Sequence, residues 1–197
     1  MIKKKSKKQL AERFDKLEKK MTGKFTHRQK KMWNIFIFLV RFSSLAIFLN
    51  IILWTHYDFS HIITITSYFT SKVISVFGTD FFRIENTFFI NTKTGMLIAE
   101  IIKDCVGWKS SLALISLMIA TRYVSTKARA IGILIGIPII FAGNILRLAT
   151  TFHITYIYGL GFFKITHNIL WQGGLIMLVI MTWWFWLEKI ATDKRYI

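Results

Sequence analysis

Cys105 is the only cysteine in the chain and lies in Asp104-Cys105-Val106-Gly107-Trp108, where an apolar stretch begins. Arg147 closes Gly143-Asn144-Ile145-Leu146-Arg147 near the end of the next apolar stretch, and His167 stands just ahead of the last one. If these stretches cross a bilayer alternately, all three side chains gather at one membrane face. A thiol ionises near ~8.5 and attacks as the thiolate, a form favoured by helix N-terminal amides and by a nearby cation. Arginine supplies no base at neutral pH, but its charged fork stabilises an oxyanion. An imidazole can take the thiol proton and return it to a leaving amine. These are the parts of a cysteine acyl-transfer site.

Each part has a plainer reading. Most free cysteines are small buried core residues. An arginine at a helix end is unremarkable on the cytoplasmic side, whereas the positive-inside bias argues against a casual one on the outer side. Asn144 lies one turn before Arg147 on the same helix face and is expected to hold the guanidinium. Gly107 is expected to let another chain or a substrate backbone approach. His153 rivals His167, but it falls six residues past Arg147, on the opposite side of a continuing helix, so His167 is preferred as the base.

The elements that must position these groups are membrane elements. Of 197 residues, 53% are hydrophobic, and long apolar runs mark an integral membrane protein. One cysteine excludes an intrachain disulfide and a cysteine-rich zinc site. Five scattered histidines offer no metal-binding cluster, and no glycine-rich phosphate loop is present, which disfavours a nucleotide-driven pump. No cofactor and no metal are expected.

The net charge of +17 is concentrated at the start: residues 1–31 hold thirteen Lys/Arg against Glu12, Asp15 and Glu18. Because this run directly precedes an apolar stretch, retention at the cytoplasmic surface and attraction to anionic membrane lipid explain it better than binding of nucleic acid. Leu10, Phe14, Leu17 and Met21 recur at helical spacing, so residues 8–21 are expected to form a basic amphipathic helix. Residues 1–32 read as a basic cytoplasmic arm, 33–187 as the membrane-embedded catalytic domain and 188–197 as a cytoplasmic tail.

The expected fold is all-α, with about four transmembrane helices, an outer-face amphipathic helix and a small β-hairpin. The first span runs from Trp33 to Trp54, where 22 residues at ~1.5 Å each cover the hydrocarbon layer. Three more span about 108–121, 130–149 and 168–187. Arg122, Lys127 and Arg129 between the second and third, with Lys189, Lys194 and Arg195 after the last, put both ends of the chain in the cytoplasm and the candidate site at the outer face of the cell membrane. Residues 59–77 are apolar enough to tempt a further crossing, but Ser60, His61, Ser67, Ser71 and Lys72 interrupt a lipid-facing wall, so the segment reads as an interfacial helix on the outer side. Phe81–Ile90 and Met96–Ile102 are β-prone and joined by Asn91-Thr92-Lys93-Thr94-Gly95, a hairpin turn. Pro138 and Gly132-x-x-x-Gly136 predict a kink and close helix packing.

In order and spacing, Cys105-Val106-Gly107, Asn144-Ile145-Leu146-Arg147 and His167 resemble the exosortase/archaeosortase family of integral-membrane, transpeptidase-like enzymes. That family has Cys-(Ser/Thr)-Gly opening a span, Asn-x-x-Arg near the end of the next and a histidine before the last. The resemblance covers about residues 55–187. Val106 stands where the family has a small hydroxyl residue, and the basic composition with a four-span core favours an archaeosortase-type member. The resemblance implies a cysteine protease or transpeptidase whose partners are exported proteins ending in a short motif, a transmembrane helix and a basic tail. Cleavage would pass through a thioester on Cys105, resolved by a lipid or surface amine or by water. The competing class is a non-catalytic membrane scaffold whose basic arm binds lipid or a partner. A transporter would need more polar residues within its spans than Arg41 and Asn50.

Overall fold

Helix α1, His27–His56, starts where Thr26 and Gln29 exchange hydrogen bonds: the Thr26 N–H donates to Gln29 Oε1 (2.8 Å) and the Gln29 N–H to Thr26 Oγ1 (3.5 Å). This reciprocal pairing satisfies amides that the first turn leaves without partners. The computed structural model describes residues 26–56, 58–122, 124–169 and 173–191, so the expected arm helix at 8–21 and the end of the C-terminal tail lie outside it. Residues 1–41 and 42–197 form two units.

Helix α2 spans Ser60–Val76, as the apolar periodicity predicts, but its faces are inverted relative to a soluble helix. Thr66, Ser67 and Thr70 are fully buried, while Ile65, Tyr68, Phe69 and Val76 are exposed. Small hydroxyl residues permit close helix approach, and Thr66 and Ser67 return their hydroxyls to the carbonyls of Ile62 and Ile63 at 2.7 and 2.9 Å. Of the polar residues that seemed to interrupt a lipid-facing wall, Ser67 is buried in the packing surface with Thr66 and Thr70, while Ser60, His61 and Lys72 are exposed.

A three-stranded antiparallel meander follows: β1 Phe81–Ile84, β2 Thr87–Thr92 and β3 Gly95–Glu100. The expected hairpin is β2–β3, with Thr92 opposite Gly95 across a two-residue turn. The stretch 81–90 is not one strand, because it folds back at Glu85-Asn86, where Glu85 takes a left-handed φ of 50°. Phe88 and Ile90 are fully buried on the inner face of the sheet, and Phe88 meets Phe152 with ring centroids 5.3 Å apart.

A 3-10 turn, Lys103–Cys105, leads into α3, Trp108–Ala120. Helix α4 covers Thr126–Tyr158, its start capped by Ser125, whose side chain accepts from the Ala128 N–H at 3.2 Å. It runs nine residues past the expected end, and Pro138 sits inside it without stopping it. Its 33 residues reach ~50 Å, against ~30 Å of hydrocarbon. Helices α5, Gly161–Ile169, and α6, Leu175–Trp186, complete the chain, with a π-helical turn at Leu187–Ala191.

The glycines on α4 bring helices into contact. A Cβ on Gly132 would lie 2.3 Å from Trp186 Nε1, and one on Gly136 would lie 2.5 Å from Leu114 Cδ2. The Trp186 indole, 2% exposed, donates to the Ala128 carbonyl at 2.8 Å. Leu114, Met118, Ile140, Val179 and Trp186 form the core of this bundle, and a second core joins the sheet, α2 and the C-terminal part of α4. Outside these cores, Leu134, Ile176, Met177, Trp184 and Phe185 are exposed, a wall suited to lipid rather than water. Among the described residues, His27–Ile51 and Thr126–Tyr158 are long and apolar enough to cross a membrane. Helix α3, at 13 residues, rises only ~20 Å, so helix length supports two crossings, and the expectation of four rests on charge asymmetry.

Candidate active site

Cys105 ends the 3-10 turn rather than opening α3 itself, and its residue is partly exposed, so the thiol is not sealed in a core. Its N–H donates to the Ile102 carbonyl at 2.8 Å. Val106 behind it is buried, and Gly107 turns the chain into α3 with φ 75°, a left-handed conformation that glycine adopts without the steric cost of a Cβ. The salt bridge between Lys109 and Asp104, at 2.9 Å, ties the first turn of α3 back to the loop.

The loop meets α4 at Asn144. The Asn144 side-chain Nδ2 donates to the Cys105 carbonyl at 2.7 Å, and Asn144 is fully buried. A Cβ on Gly107 would stand 3.1 Å from Asn144 Cγ, so the small residue admits this side chain rather than an incoming backbone. The Asn144 donor goes to the cysteine loop, and among the described residues Oδ1, the atom that would have to accept from a guanidinium, takes no hydrogen bond, so the expected hold of Asn144 on Arg147 is not formed. Three residues on, Arg147 is 7% exposed. The bond from Asn144 sets the backbone of Cys105, 42 positions before Arg147 in sequence, within one helical turn of that arginine's place on α4. Arg147 lies 21 residues beyond Thr126, a rise of ~32 Å along α4, about one hydrocarbon thickness. Beyond it, the Thr151 and Thr155 hydroxyls donate to the carbonyls of Arg147 and Thr151 at 2.8 Å each, continuing the buried stripe.

His167 belongs to the short helix α5. Its ring stacks on Phe163 with centroids 5.6 Å apart, and Phe163 packs against the same core as Cys105. The same core is also met by Tyr156, on which His153 stacks, so packing against it does not by itself bring His167 to Cys105. The corner between α4 and α5 is held by the β2–β3 turn: Thr94 Oγ1 accepts from the Leu160 N–H at 2.8 Å, and Gly159, at φ 91°, leaves the room that Thr94 fills. Sequence reasoning missed this latch. Its one trace was a glycine at the end of an otherwise unbroken helix.

The rival, His153, lies further along α4, beside the end of α2. Its Nδ1 is 2.8 Å from Thr79 Oγ1, and its ring stands 5.3 Å from that of Phe77 and 6.5 Å from that of Tyr156. No group of three metal-ligating side chains occurs among the described residues.

An apolar groove of about 370 Å³ opens beside the cysteine loop, with Val106, Trp108, Ile62 and Phe141 in its walls. Its neighbour of about 540 Å³, lined partly by Arg83, Glu85 and Asn86, shares Ile65 with it.

A family model described as transmembrane exosortase (Exosortase_EpsH) matches residues 25–187. The chain belongs to the transmembrane exosortase family, and a membrane transpeptidase-type role in general comes with that membership. A search of the curated proteins finds no match, and neither does a search of the solved structures.

Proposed function

We propose that this chain is a membrane-embedded cysteine peptidase or transpeptidase that removes C-terminal sorting tails from exported surface proteins. The observation that supports the reading is the hydrogen bond that seats the loop of the lone cysteine on a long apolar helix, one turn from a buried arginine. In this reading both termini are cytoplasmic and the site faces outward, because the basic residues of the α3–α4 loop and of the tail belong inside.

His167 takes the proton of the Cys105 thiol as sulfur attacks the scissile carbonyl carbon. Arg147 stabilises the oxyanion. Collapse of the tetrahedral intermediate breaks the C–N bond, and His167 passes its proton to the departing amine, leaving a thioester on Cys105. A lipid amine, a surface amine or water then attacks the thioester and frees the thiol. Since the substrate is itself anchored in the bilayer, the groove beside Val106 suits its apolar segment, and encounter is confined to the membrane plane.

The experiment is cleavage of a reporter ending in a motif, an apolar helix and a basic tail. Cys105→Ala and Arg147→Lys should both stop processing while protein abundance holds. Normal processing by Cys105→Ala would remove the nucleophile and with it the reading.

A further inference from the structure

We propose that Asn144 is a positioning residue for the nucleophile, holding the Cys105 loop on α4 so that one turn of that helix sets the distance between thiol and guanidinium. The inference rests on Cys105 and Arg147 acting as proposed above, and it deepens that reading.

The argument starts from burial. An asparagine side chain at 0% exposure is costly unless its polar atoms are bonded. Here the Nδ2 group donates to a backbone carbonyl 39 residues away, at 2.7 Å. Among the described residues Oδ1 takes no hydrogen bond, so the side chain's hold on the cysteine loop runs through Nδ2 alone. The acceptor carbonyl is that of Cys105 itself, so the bond fixes the peptide unit that carries the nucleophile.

Two further features fit the same arrangement. Gly107 is left-handed at φ 75°, and its missing Cβ leaves the space that Asn144 Cγ and Cβ occupy at 3.1 and 3.2 Å from where that Cβ would be. Arg147 follows Asn144 by three positions, so both lie on adjoining faces of α4, separated by a rise of ~4.5 Å. One rigid turn therefore grips the backbone of the nucleophile at one end and presents its cation at the other. Removing the grip lets the loop drift while Arg147 stays in place. The other charged groups of the loop and the first turn of α3 are Lys103 and the paired Asp104 and Lys109.

The test reads the thiol directly, without requiring turnover. The rate of Cys105 alkylation by a small maleimide at one fixed pH is measured in the full-length detergent-solubilised chain, with reporter cleavage followed in parallel. Asn144→Ala should lower that rate several-fold, because the loop no longer holds the thiol at its distance from the cation. Asn144→Leu, close in size but lacking the donor, should lower it as far. In an Arg147→Gln background, Asn144→Ala should produce no further loss, because the distance it sets no longer matters. Asn144→Ala with an unchanged rate would overturn the proposal. So would an equal loss with and without Arg147, which is what a merely structural asparagine gives. If Asn144→Ala fails to accumulate, the Leu variant and its Arg147→Gln double carry the same comparison. Loss of the proposed function would show separately, as reporter cleavage that survives Cys105→Ala.

Discussion

The two halves of the candidate site are built to different standards. On one side, Cys105, Gly107, Asn144 and Arg147 are joined by a short buried hydrogen bond, a left-handed glycine and one turn of a 33-residue helix. On the other, His167 rides on a nine-residue helix, stacked on Phe163, with a threonine of a hairpin turn accepting from the residue just before that helix. A nucleophile and the donor that meets its oxyanion must keep one geometry throughout the reaction. A proton carrier must serve first the thiol and then the leaving amine, and a short helix suits a group with two positions to visit.

If that contrast is functional, changes on the two sides should separate in their readouts. The largest effect is expected on the proton carrier: His167→Ala should lower reporter cleavage by about 10²–10⁴-fold while maleimide still modifies Cys105. His153→Ala should cost far less, and the reverse order would move the base to the Thr79 side of the cap. Next comes Gly107→Ala, which meets both a disfavoured backbone conformation (about 1–2 kcal/mol) and the Asn144 side chain. It should lower thiol reactivity and cleavage together. Thr94→Ala removes one hydrogen bond to the α4–α5 corner, about 0.5–1.5 kcal/mol, and should reduce cleavage several-fold without changing the rate of Cys105 alkylation.

The smallest effect concerns Asp58, away from both halves. The backbone N–H of Ser60, and then its hydroxyl, hold the Asp58 carboxyl below its ordinary value of 3.8. A folded-state pKa lowered in this way contributes stability above the unfolded value, lost as pH falls through that value toward the folded one. Amide protection in the first turn of α2, taken relative to the intrinsic exchange rate, should therefore fall below about pH 4, and Asp58→Asn should flatten that dependence.

The chemistry was more legible than its scaffolding. Cys105, Arg147 and His167 stand out because a lone thiol, a cation at the wrong end of a span and an imidazole beside an apolar run are each unusual. The membrane class follows from apolar runs that no soluble core of this size would need. The partner of Asn144 was hidden, because spacing along a helix reveals which residues share a face but not which distant segment lies against it. The extent of α4 was hidden too. Hydropathy fades after Ala149, where Thr150, Thr151, His153 and Thr155 follow, yet packing of Phe152 against Phe88 carries the helix on to Tyr158. The turn at Glu85-Asn86 left no glycine or proline to mark it, so two strands read as one.

In the proposed reading, the reach of α4 has a consequence for which substrates could be cut. If Thr126 lies at the inner boundary, Arg147 stands about one hydrocarbon thickness above it, and the rest of the helix would stand clear of the lipid. The helix would then act as a gauge. A tail whose apolar segment is shortened by two residues would present its cut site ~3 Å lower, and one lengthened by two would carry it above Cys105. Bilayer thickness would move both partners on the same scale, so lipid composition would govern which proteins are processed without altering a single contact in the chain.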